Sequence, residues 1–177
     1  MQPSPNDEYP PKVAKFVASY RPCLIIVEDE EISDERLQRI EKQVGPEDRI
    51  LASVYVTEPN KLLLVKNADS GKWTEPIGWV ERDECIEDAA IREVREESGL
   101  KIELDKGIAL VSLAWASPTA SRVRGWTAIF RGRAIGGSLN PTDAREIGEA
   151  RFFSREEVAK LVSRAEAPRY LLSQGQW

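Results

Sequence analysis

The sequence has no histidine among its 177 residues. Ser-His-Asp and Cys-His nucleophilic catalysis both depend on an imidazole base, so both are excluded. Zinc sites with a histidine ligand are excluded for the same reason. General-base work near neutral pH must then fall to carboxylates, to a lysine, cysteine or tyrosine of shifted pKa, or to water activated by a metal ion.

Long apolar stretches, basic runs and cysteines are also absent or rare, and this excludes further classes of protein. No stretch reaches the roughly 18 apolar residues that a membrane-spanning helix needs, so we expect no membrane partner. The net charge is −5 and no basic run is present, which argues against binding to nucleic acid. The only two cysteines, Cys23 and Cys85, fit no zinc spacing. With no export signal at the polar, proline-rich start, they indicate reduced thiols and a cytoplasmic location.

The most informative stretch, Gly78 to Leu100, predicts a helix with clear ends. Asp83 is expected to cap the N-terminus, and the acidic residues that follow suit the helix dipole. Ser98-Gly99 is expected to end the helix, because glycine readily takes the left-handed conformation. Apolar residues at helical spacing predict a buried stripe, formed by Ile86, Ala90, Ile91 and Val94.

Three glutamates share one side of this predicted helix. Glu93, Glu96 and Glu97 stand at i, i+3 and i+4, where like charges cost roughly 0.2–0.5 kcal/mol per pair. On a helical wheel Glu93 and Glu97 fall at the edge of the apolar stripe rather than opposite it. Carboxylates crowded beside a core favour a divalent cation, and oxygen ligands alone suit magnesium or manganese. A solvated acidic face is the alternative.

The same stretch resembles the sequence box of the Nudix hydrolase family. That box reads Gly, five residues, Glu, seven residues, then Arg-Glu-aliphatic-x-Glu-Glu-x-Gly-aliphatic. Upstream, Pro76-Ile77-Gly78 departs from the Pro-Gly-Gly that is frequent in the family. The resemblance implies an α+β fold, the Nudix α/β/α sandwich with a mixed β-sheet between helices. All nine box positions match: Gly78, Glu84, Arg92, Glu93, Val94, Glu96, Glu97, Gly99 and Leu100.

The chain is predicted to divide into an N-terminal extension, residues 1–48, and a Nudix hydrolase domain, residues 49–177. In the extension, a loose arm and a short helix precede a strand at 23–27, and Ser33 caps a helix over 34–44. Three roles are open for this section: it adds strands to the sheet, covers the active site, or builds a homodimer interface. The domain is predicted to contain a hairpin at 49–57 and 62–65, strands at 101–104, 108–115, 122–134 and 150–153, and a helix from the capping box at Ser154 to about residue 162.

The resemblance implies a hydrolysis in which water attacks a diphosphate linkage. It also implies that this reaction depends on Mg²⁺, for which Mn²⁺ can substitute. It assigns Glu93 and Glu97 as metal ligands, Glu96 as a ligand or the base, and the Gly78 carbonyl as a further ligand. It assigns the remaining two charged box residues to catalysis: Arg92 orients the box glutamates, and Glu84 contributes electrostatics or a hydrogen bond.

The general base has a second candidate position. In several family members it is a glutamate on a loop before the last short strand, and the matching loop here is 143–149. Glu146 is the first choice on this loop and Glu149 the second. Both also fit the description of ordinary surface glutamates.

Substrate contacts are predicted from charge and aromaticity. Arg122 and Arg124 alternate on a strand and could meet a phosphate, although a solvated strand face fits the same pattern. Trp73 and Trp115 are candidates for stacking a base, as are Trp79 and Trp126, and for any single one core packing is the alternative.

Two substrate classes follow from the resemblance. One is ADP-ribose or a nucleotide sugar, a nucleoside diphosphate linked to another moiety. The other is an oxidised or canonical nucleoside di- or triphosphate, which would give a sanitising role. No motif for NADH or coenzyme A substrates is recognisable. The rival from another class is a non-catalytic module that binds a nucleotide. The expected partner is in each case a small-molecule nucleotide.

Overall fold

The computed structural model describes residues 9–22, 24–45, 49–119, 123–142 and 145–161. In these ranges none of the helices is both long and apolar enough to cross a membrane. The elements in chain order are α1 (Pro11–Tyr20), β1 (Leu24–Glu31), α2 (Asp34–Gln43), β2 (Ile50–Glu58), β3 (Lys61–Asn67), β4 (Trp73–Thr74), β5 (Ile77–Trp79), α3 (Ile86–Ser98), β6 (Leu100–Ala116), β7 (Val123–Gly137), β8 (Ile147–Ser154) and α4 (Arg155–Leu161).

The described strands form one mixed sheet. Its main order is β1-β6-β7-β2-β3-β4, with β5 paired to β2 and β8 paired to β3. The pairs β1–β6 and β2–β7 are parallel, and the other pairs are antiparallel. Neighbouring strand residues point to opposite faces, so Val54 and Tyr55 enter different apolar clusters. Helices α1 and α3 cover the face of Val54, whereas α4 covers the other face with Val158.

The front section of the chain is built into this sheet. Strand β1 pairs in parallel with β6, from Leu24 opposite Ala109 to Glu31 opposite Ala116. Helix α1 packs against the sheet through Val13 and Phe16, both fully buried. Helix α2 begins at the predicted cap, Ser33, and its apolar residues pack beside β6. Of the three roles left open for this section, the structure shows the addition of a strand. The first residue of the strand predicted at 23–27 lies outside the described residues.

The predicted hairpin and capping box are confirmed. Strands β2 and β3 pair antiparallel across a turn in which Asn60 adopts a φ of 63°. Asparagine tolerates this left-handed conformation better than most residues. At the start of α4 the Ser154 N–H donates to Glu157 Oε2 at 2.8 Å, and the Glu157 N–H donates to Ser154 Oγ at 3.3 Å.

Three sequence-based expectations were wrong in detail. The strands predicted at 101–104 and 108–115 form the single long strand β6, which is interrupted only by register shifts against β7. The cap of α3 is Cys85 rather than Asp83, and its Sγ accepts from the Asp88 N–H at 3.4 Å. Ile91, predicted in the buried stripe, is 38% exposed, because the helix turns its Ala89–Ala90 side to the core instead.

Candidate active site

Helix α3 sets the positions of the box glutamates. Ala89, Ala90 and Val94 are fully buried, and this packing fixes the rotation of the helix against the sheet. The helix ends where predicted, since Gly99 takes a φ of 80° and its N–H donates to the Arg95 carbonyl. A Cβ at Gly99 would come within 2.5 Å of the Ser138 carbonyl oxygen, so this close approach also requires glycine.

Arg92 is the centre of the hydrogen-bond network. Its Nε and Nη2 donate to the two carboxylate oxygens of Glu84, each at 2.9 Å. Nη1 donates to Glu93 Oε1 at 2.6 Å and to Glu96 Oε2 at 3.3 Å. Nη2 also donates to the Trp79 carbonyl at 2.9 Å. The guanidinium therefore joins three box glutamates to the strand that precedes the helix.

The pair formed with Glu84 is bidentate, the strongest geometry for an arginine and a carboxylate. The side chains of Arg92 and Glu84 are only 26% and 15% exposed. The Arg92 bond holds the pKa of the Glu84 carboxyl below its usual range, and the same bond raises the pKa of Arg92. Both groups are therefore charged at neutral pH.

Glu97 lies deeper than the other box glutamates and is 8% exposed. Its Oε2 accepts from the Ile77 N–H at 3.0 Å, which ties it to β5. Burial, followed by the nearby charges of Glu93, Glu146 and Glu75, raises the pKa of the Glu97 carboxyl to about 8. Without a cation, burial thus disfavours the charged form of this carboxyl.

Glu93 is less deeply buried than Glu97. Its side chain is 13% exposed, and burial raises the pKa of its carboxyl despite the opposing charge of Arg92. The carboxylate lies against Gly78, where an added Cβ would meet Glu93 Cδ at 2.0 Å. The backbone of Gly78 and the Glu93 carboxylate, two of the predicted metal ligands, are therefore adjacent, and the first box glycine is required by this contact.

A cavity of about 480 Å³ opens beside these groups. Its size suits a nucleotide-sized ligand, since small-molecule pockets span roughly 300–1,000 Å³. The end of α2, strand β5, the loop that follows it, one side of α3 and the loop before β8 all contribute to the lining. The residues are Val44, Gly45, Ile77, Gly78, Trp79, Val80, Glu81, Arg82, Arg92, Glu93, Glu96 and Glu146.

The two candidate bases both reach this cavity. Glu96 has a side chain that is 53% exposed, and Glu146 is exposed on the loop before β8. The Glu146 carbonyl accepts from the Ala68 N–H at 2.8 Å, which fixes the backbone of that loop. Glu149, the second choice, is exposed on β8 opposite Lys66 and is not among the cavity residues.

The predicted substrate contacts lie elsewhere. Trp115 is buried, and its Nε1–H donates to Glu30 Oε2 at 3.1 Å. Trp73 packs edge-on against Phe153, with ring centroids 4.6 Å apart. Arg124 is exposed on β7, and Arg122 lies outside the described residues. The structure does not bring Trp115, Trp73 or Arg124 to the described cavity lining, so their binding roles stay predictions.

Sequence reasoning missed two features of the cavity region. Val44 and Gly45, at the end of α2, line the cavity although they precede the predicted domain. Trp79, which was among the four candidates for stacking a base, lines the cavity as well and contacts Trp115 edge-on at 6.2 Å. Glu75 is 8% exposed and accepts from Ser53 Oγ at 3.3 Å. The last of these had a signal, an acidic residue three positions before the box glycine.

The carboxylate oxygens at the cavity are chemically suited to bind a divalent cation. Four carboxylates, on Glu93, Glu96, Glu97 and Glu146, oppose one another, and burial with mutual repulsion makes two of them hard to ionise. A cation reverses that repulsion. In the described part of the chain no three acidic side chains already converge as a ready-made metal site. Arg92 instead supplies the positive charge that Glu93 and Glu96 need.

Comparison with known proteins gives matches over most of the chain. The NUDIX domain family model matches residues 48–174. An ADP-ribose pyrophosphatase from Methanocaldococcus jannaschii is 31% identical over 109 residues, which are 60% of this chain and 62% of that protein. The NAD-capped RNA hydrolase NudC of Stutzerimonas stutzeri is 32% identical over 121 residues, which are 67% of this chain and 41% of that protein. The chain therefore spans less than two thirds of the length of either relative.

A solved structure of a NUDIX hydrolase resembles the fold described above. A NUDIX hydrolase from Nitrosomonas europaea superposes with a TM-score of 0.60 at 20% identity, covering 72% of this chain and 88% of that one. At this identity the likeness concerns the fold alone. It confirms the predicted α+β sandwich with a mixed sheet between helices.

Proposed function

This chain belongs to the NUDIX family, and from that premise we propose that it hydrolyses a diphosphate bond in a nucleoside diphosphate linked to another moiety, with Mg²⁺ as cofactor. The predicted membership in the Nudix hydrolase family is confirmed, and the hydrolase names of its relatives support the pyrophosphohydrolase class. One observation carries the proposal: Glu93, Glu96 and Glu146 line a single cavity with Arg92.

Glu93 and Glu97 would hold the ion, with Glu96 and the Gly78 carbonyl as further ligands. Mn²⁺ would substitute, because both ions prefer oxygen donors. When bound, the ion supplies charge neutralisation at the phosphates and acidifies the attacking water. Arg92 keeps Glu93 and Glu96 oriented toward the cavity, and Glu84 holds Arg92 in place through two hydrogen bonds.

The substrate class that we put first is ADP-ribose or a nucleotide sugar. The support is the 31% identity to an archaeal ADP-ribose pyrophosphatase. An NAD-type dinucleotide is the second candidate, because a relative of 32% identity is an NAD-capped RNA hydrolase. If the dinucleotide is the cap of an RNA, as the name of that relative says of its own substrate, the partner is a nucleic acid, contrary to the expectation from charge. A sanitising role toward nucleoside di- or triphosphates remains the third candidate.

A substrate panel tests the proposal. Product formation is followed by anion-exchange chromatography with ADP-ribose, UDP-glucose, NADH, NAD-capped RNA, and canonical and oxidised nucleoside triphosphates, each with Mg²⁺ and with EDTA. We expect turnover of ADP-ribose that EDTA abolishes. If ADP-ribose binds in calorimetry but no compound in the panel is hydrolysed, the chain is instead a nucleotide-binding module. The cytoplasmic location and the homodimer stay predictions.

The general base can be assigned by a pair of substitutions. We expect Glu146→Gln to lower kcat about 100-fold, as loss of a base does, with the Mg²⁺ concentration for half-maximal activity unchanged. Glu96→Gln is expected to raise that Mg²⁺ concentration, because Glu96 is assigned as a ligand. Mg²⁺ titrations of both variants are the measurement.

Glu149→Gln is the matched control for the base, since Glu149 is exposed on the neighbouring strand β8. Parent-like rates in Glu146→Gln would remove Glu146 from the mechanism. In that case a slow Glu149→Gln identifies Glu149 as the base. Glu96 is identified only if Glu96→Gln lowers kcat with an unchanged Mg²⁺ concentration for half-maximal activity.

A further inference from the structure

A lysine on helix α1, Lys12, contacts the loop between β5 and α3. Lys12 Nζ donates to the carbonyls of two successive loop residues, Glu81 at 2.7 Å and Arg82 at 2.8 Å. The partners are 69 and 70 residues away in sequence. A lysine ammonium has three donors, so both contacts can form together. The positive charge of Lys12 also acts on Glu84, and both residues line a second, shallower cavity between α1 and the loop.

The helix that carries Lys12 is itself firmly held. Val13, the next residue, is fully buried, and Phe16 contacts Phe130 edge-on at 5.2 Å. At Gly107 on β6 an added Cβ would meet the Tyr20 Cβ at 2.7 Å, so α1 lies directly on the sheet. Lys12 therefore extends from a fixed backbone, and its contacts transmit the position of α1 to the loop.

The loop that Lys12 contacts contains both partners that orient Arg92 from outside its own helix. The Trp79 carbonyl lies at its start and the Glu84 carboxylate near its end. The Glu81 N–H donates to Glu84 Oε2, and the Glu84 N–H donates to the Glu81 carbonyl, each at 3.2 Å. The carbonyl of Glu81 thus accepts both from Lys12 and from within the loop. A shift of this turn would move the Glu84 carboxylate and, with it, Arg92.

We propose that Lys12 is a positioning residue, by which the N-terminal helix α1 fixes the loop 79–85 and so holds Arg92 against Glu93. The residue lies outside the region that the family model matches, which begins at residue 48. The effect of Lys12 on hydrolysis rests on the proposed function, but its effect on the loop does not. Lys12 touches neither the cavity residues on α3 nor the predicted metal ligands, so it acts only through the loop.

The test compares three variants of the full chain. Lys12→Met keeps the aliphatic stem and removes the donors, whereas Lys12→Arg keeps the charge and offers donors to both carbonyls. Lys15→Met is the control, since Lys15 is exposed on the same helix and the substitution removes the same charge. Hydrogen exchange of the loop amides is the first readout, because the Glu81 and Glu84 N–H groups are both hydrogen-bonded.

In Lys12→Met we expect the Glu81 and Glu84 amides to exchange about tenfold faster, as local opening becomes easier, while amides in the middle of α3 stay unchanged. Lys12→Arg is expected to restore most of the protection, and Lys15→Met to match the parent. Unchanged exchange in Lys12→Met, or an equal change in Lys15→Met, would overturn the proposal even if no substrate is hydrolysed by any variant.

A second readout separates positioning from general stability. Mn²⁺ binding is followed by the decrease in the electron paramagnetic resonance signal of free Mn²⁺. The temperature is kept well below the melting temperature of each variant. We expect Lys12→Met to weaken Mn²⁺ binding several-fold and to lower kcat on ADP-ribose more than it changes KM. Parent-like Mn²⁺ affinity together with parent-like kcat would contradict the positioning role. A parent that neither binds Mn²⁺ nor hydrolyses ADP-ribose would contradict the proposed function, and loop exchange would still decide the role of Lys12.

Discussion

Replacing Glu97 with glutamine is expected to lower kcat by two or more orders of magnitude while the fold survives. The loss corresponds to about 3 kcal/mol of transition-state stabilisation, the usual cost of removing one preorganised charge at a reacting centre. The fold should survive because glutamine has the same size and its carbonyl oxygen can still accept from the Ile77 N–H. Steady-state kinetics on ADP-ribose and circular dichroism check both parts.

The same substitution has a stability signature in metal-free protein. The pKa of the Glu97 carboxyl is raised from 4.5 to about 8 in the folded state, so between these values the folded chain binds more protons than the unfolded chain. The free energy of unfolding must therefore fall as pH rises through this window. Glu97→Gln lacks the titrating group and escapes this loss. At pH 8 it should melt higher than the parent, and below pH 4.5 the two should melt alike.

Mg²⁺ is expected to reverse the order of the two melting temperatures. An ion that binds the folded site better than the unfolded chain stabilises the parent, whereas the glutamine variant lacks a charged ligand. Glu58→Gln serves as control, because Glu58 is exposed at the hairpin turn and should respond to neither pH nor Mg²⁺ in this way. Full activity in a folded Glu97→Gln protein would contradict the assigned role of Glu97.

The helix at the centre of the site was predictable because its signals are local. Apolar spacing and a terminal glycine act within a few turns, and the positions of Glu93, Glu96 and Glu97 follow from helical geometry. The predicted cap, Asp83, was wrong, because Cys85 caps the helix instead. Arg92, expected to orient the box glutamates, contacts Glu96 one helical turn further on at 3.3 Å. The stronger partner, Glu84, was recognised only by its place in the family box.

What the sequence did not reveal depends on contacts between distant segments. Four tryptophans were equivalent candidates for stacking, and which of them lines the cavity is decided by how the sheet packs. Trp79 lines it, whereas Trp115 is held in the core by Glu30, 85 residues away. The contacts of Lys12 with the loop are equally remote. No periodicity or propensity reports on such pairs, because they arise only when the elements dock.

Arg92→Lys is the second substitution for which we expect a large effect. Lysine can replace the charge of Arg92 but not its planar fork, so it cannot satisfy Glu84, Glu93 and the Trp79 carbonyl at once. We expect kcat to fall about 100-fold, because mispositioned groups lose most of their catalytic contribution. The free energy of unfolding should fall by about 2–3 kcal/mol, since the partly buried carboxylates of Glu84 and Glu93 lose hydrogen bonds that lysine cannot replace.

Arg95→Lys is the matched control, as Arg95 is exposed on the same helix and should tolerate the change. A double variant then separates charge from geometry. Adding Glu84→Gln to Arg92→Lys removes one of the stranded carboxylates, so the double variant should be more stable than the sum of the two single losses predicts. Strict additivity in urea unfolding would show that Arg92 and Glu84 act independently. Parent-like kcat in folded Arg92→Lys would show that the guanidinium fork is dispensable for orienting Glu93.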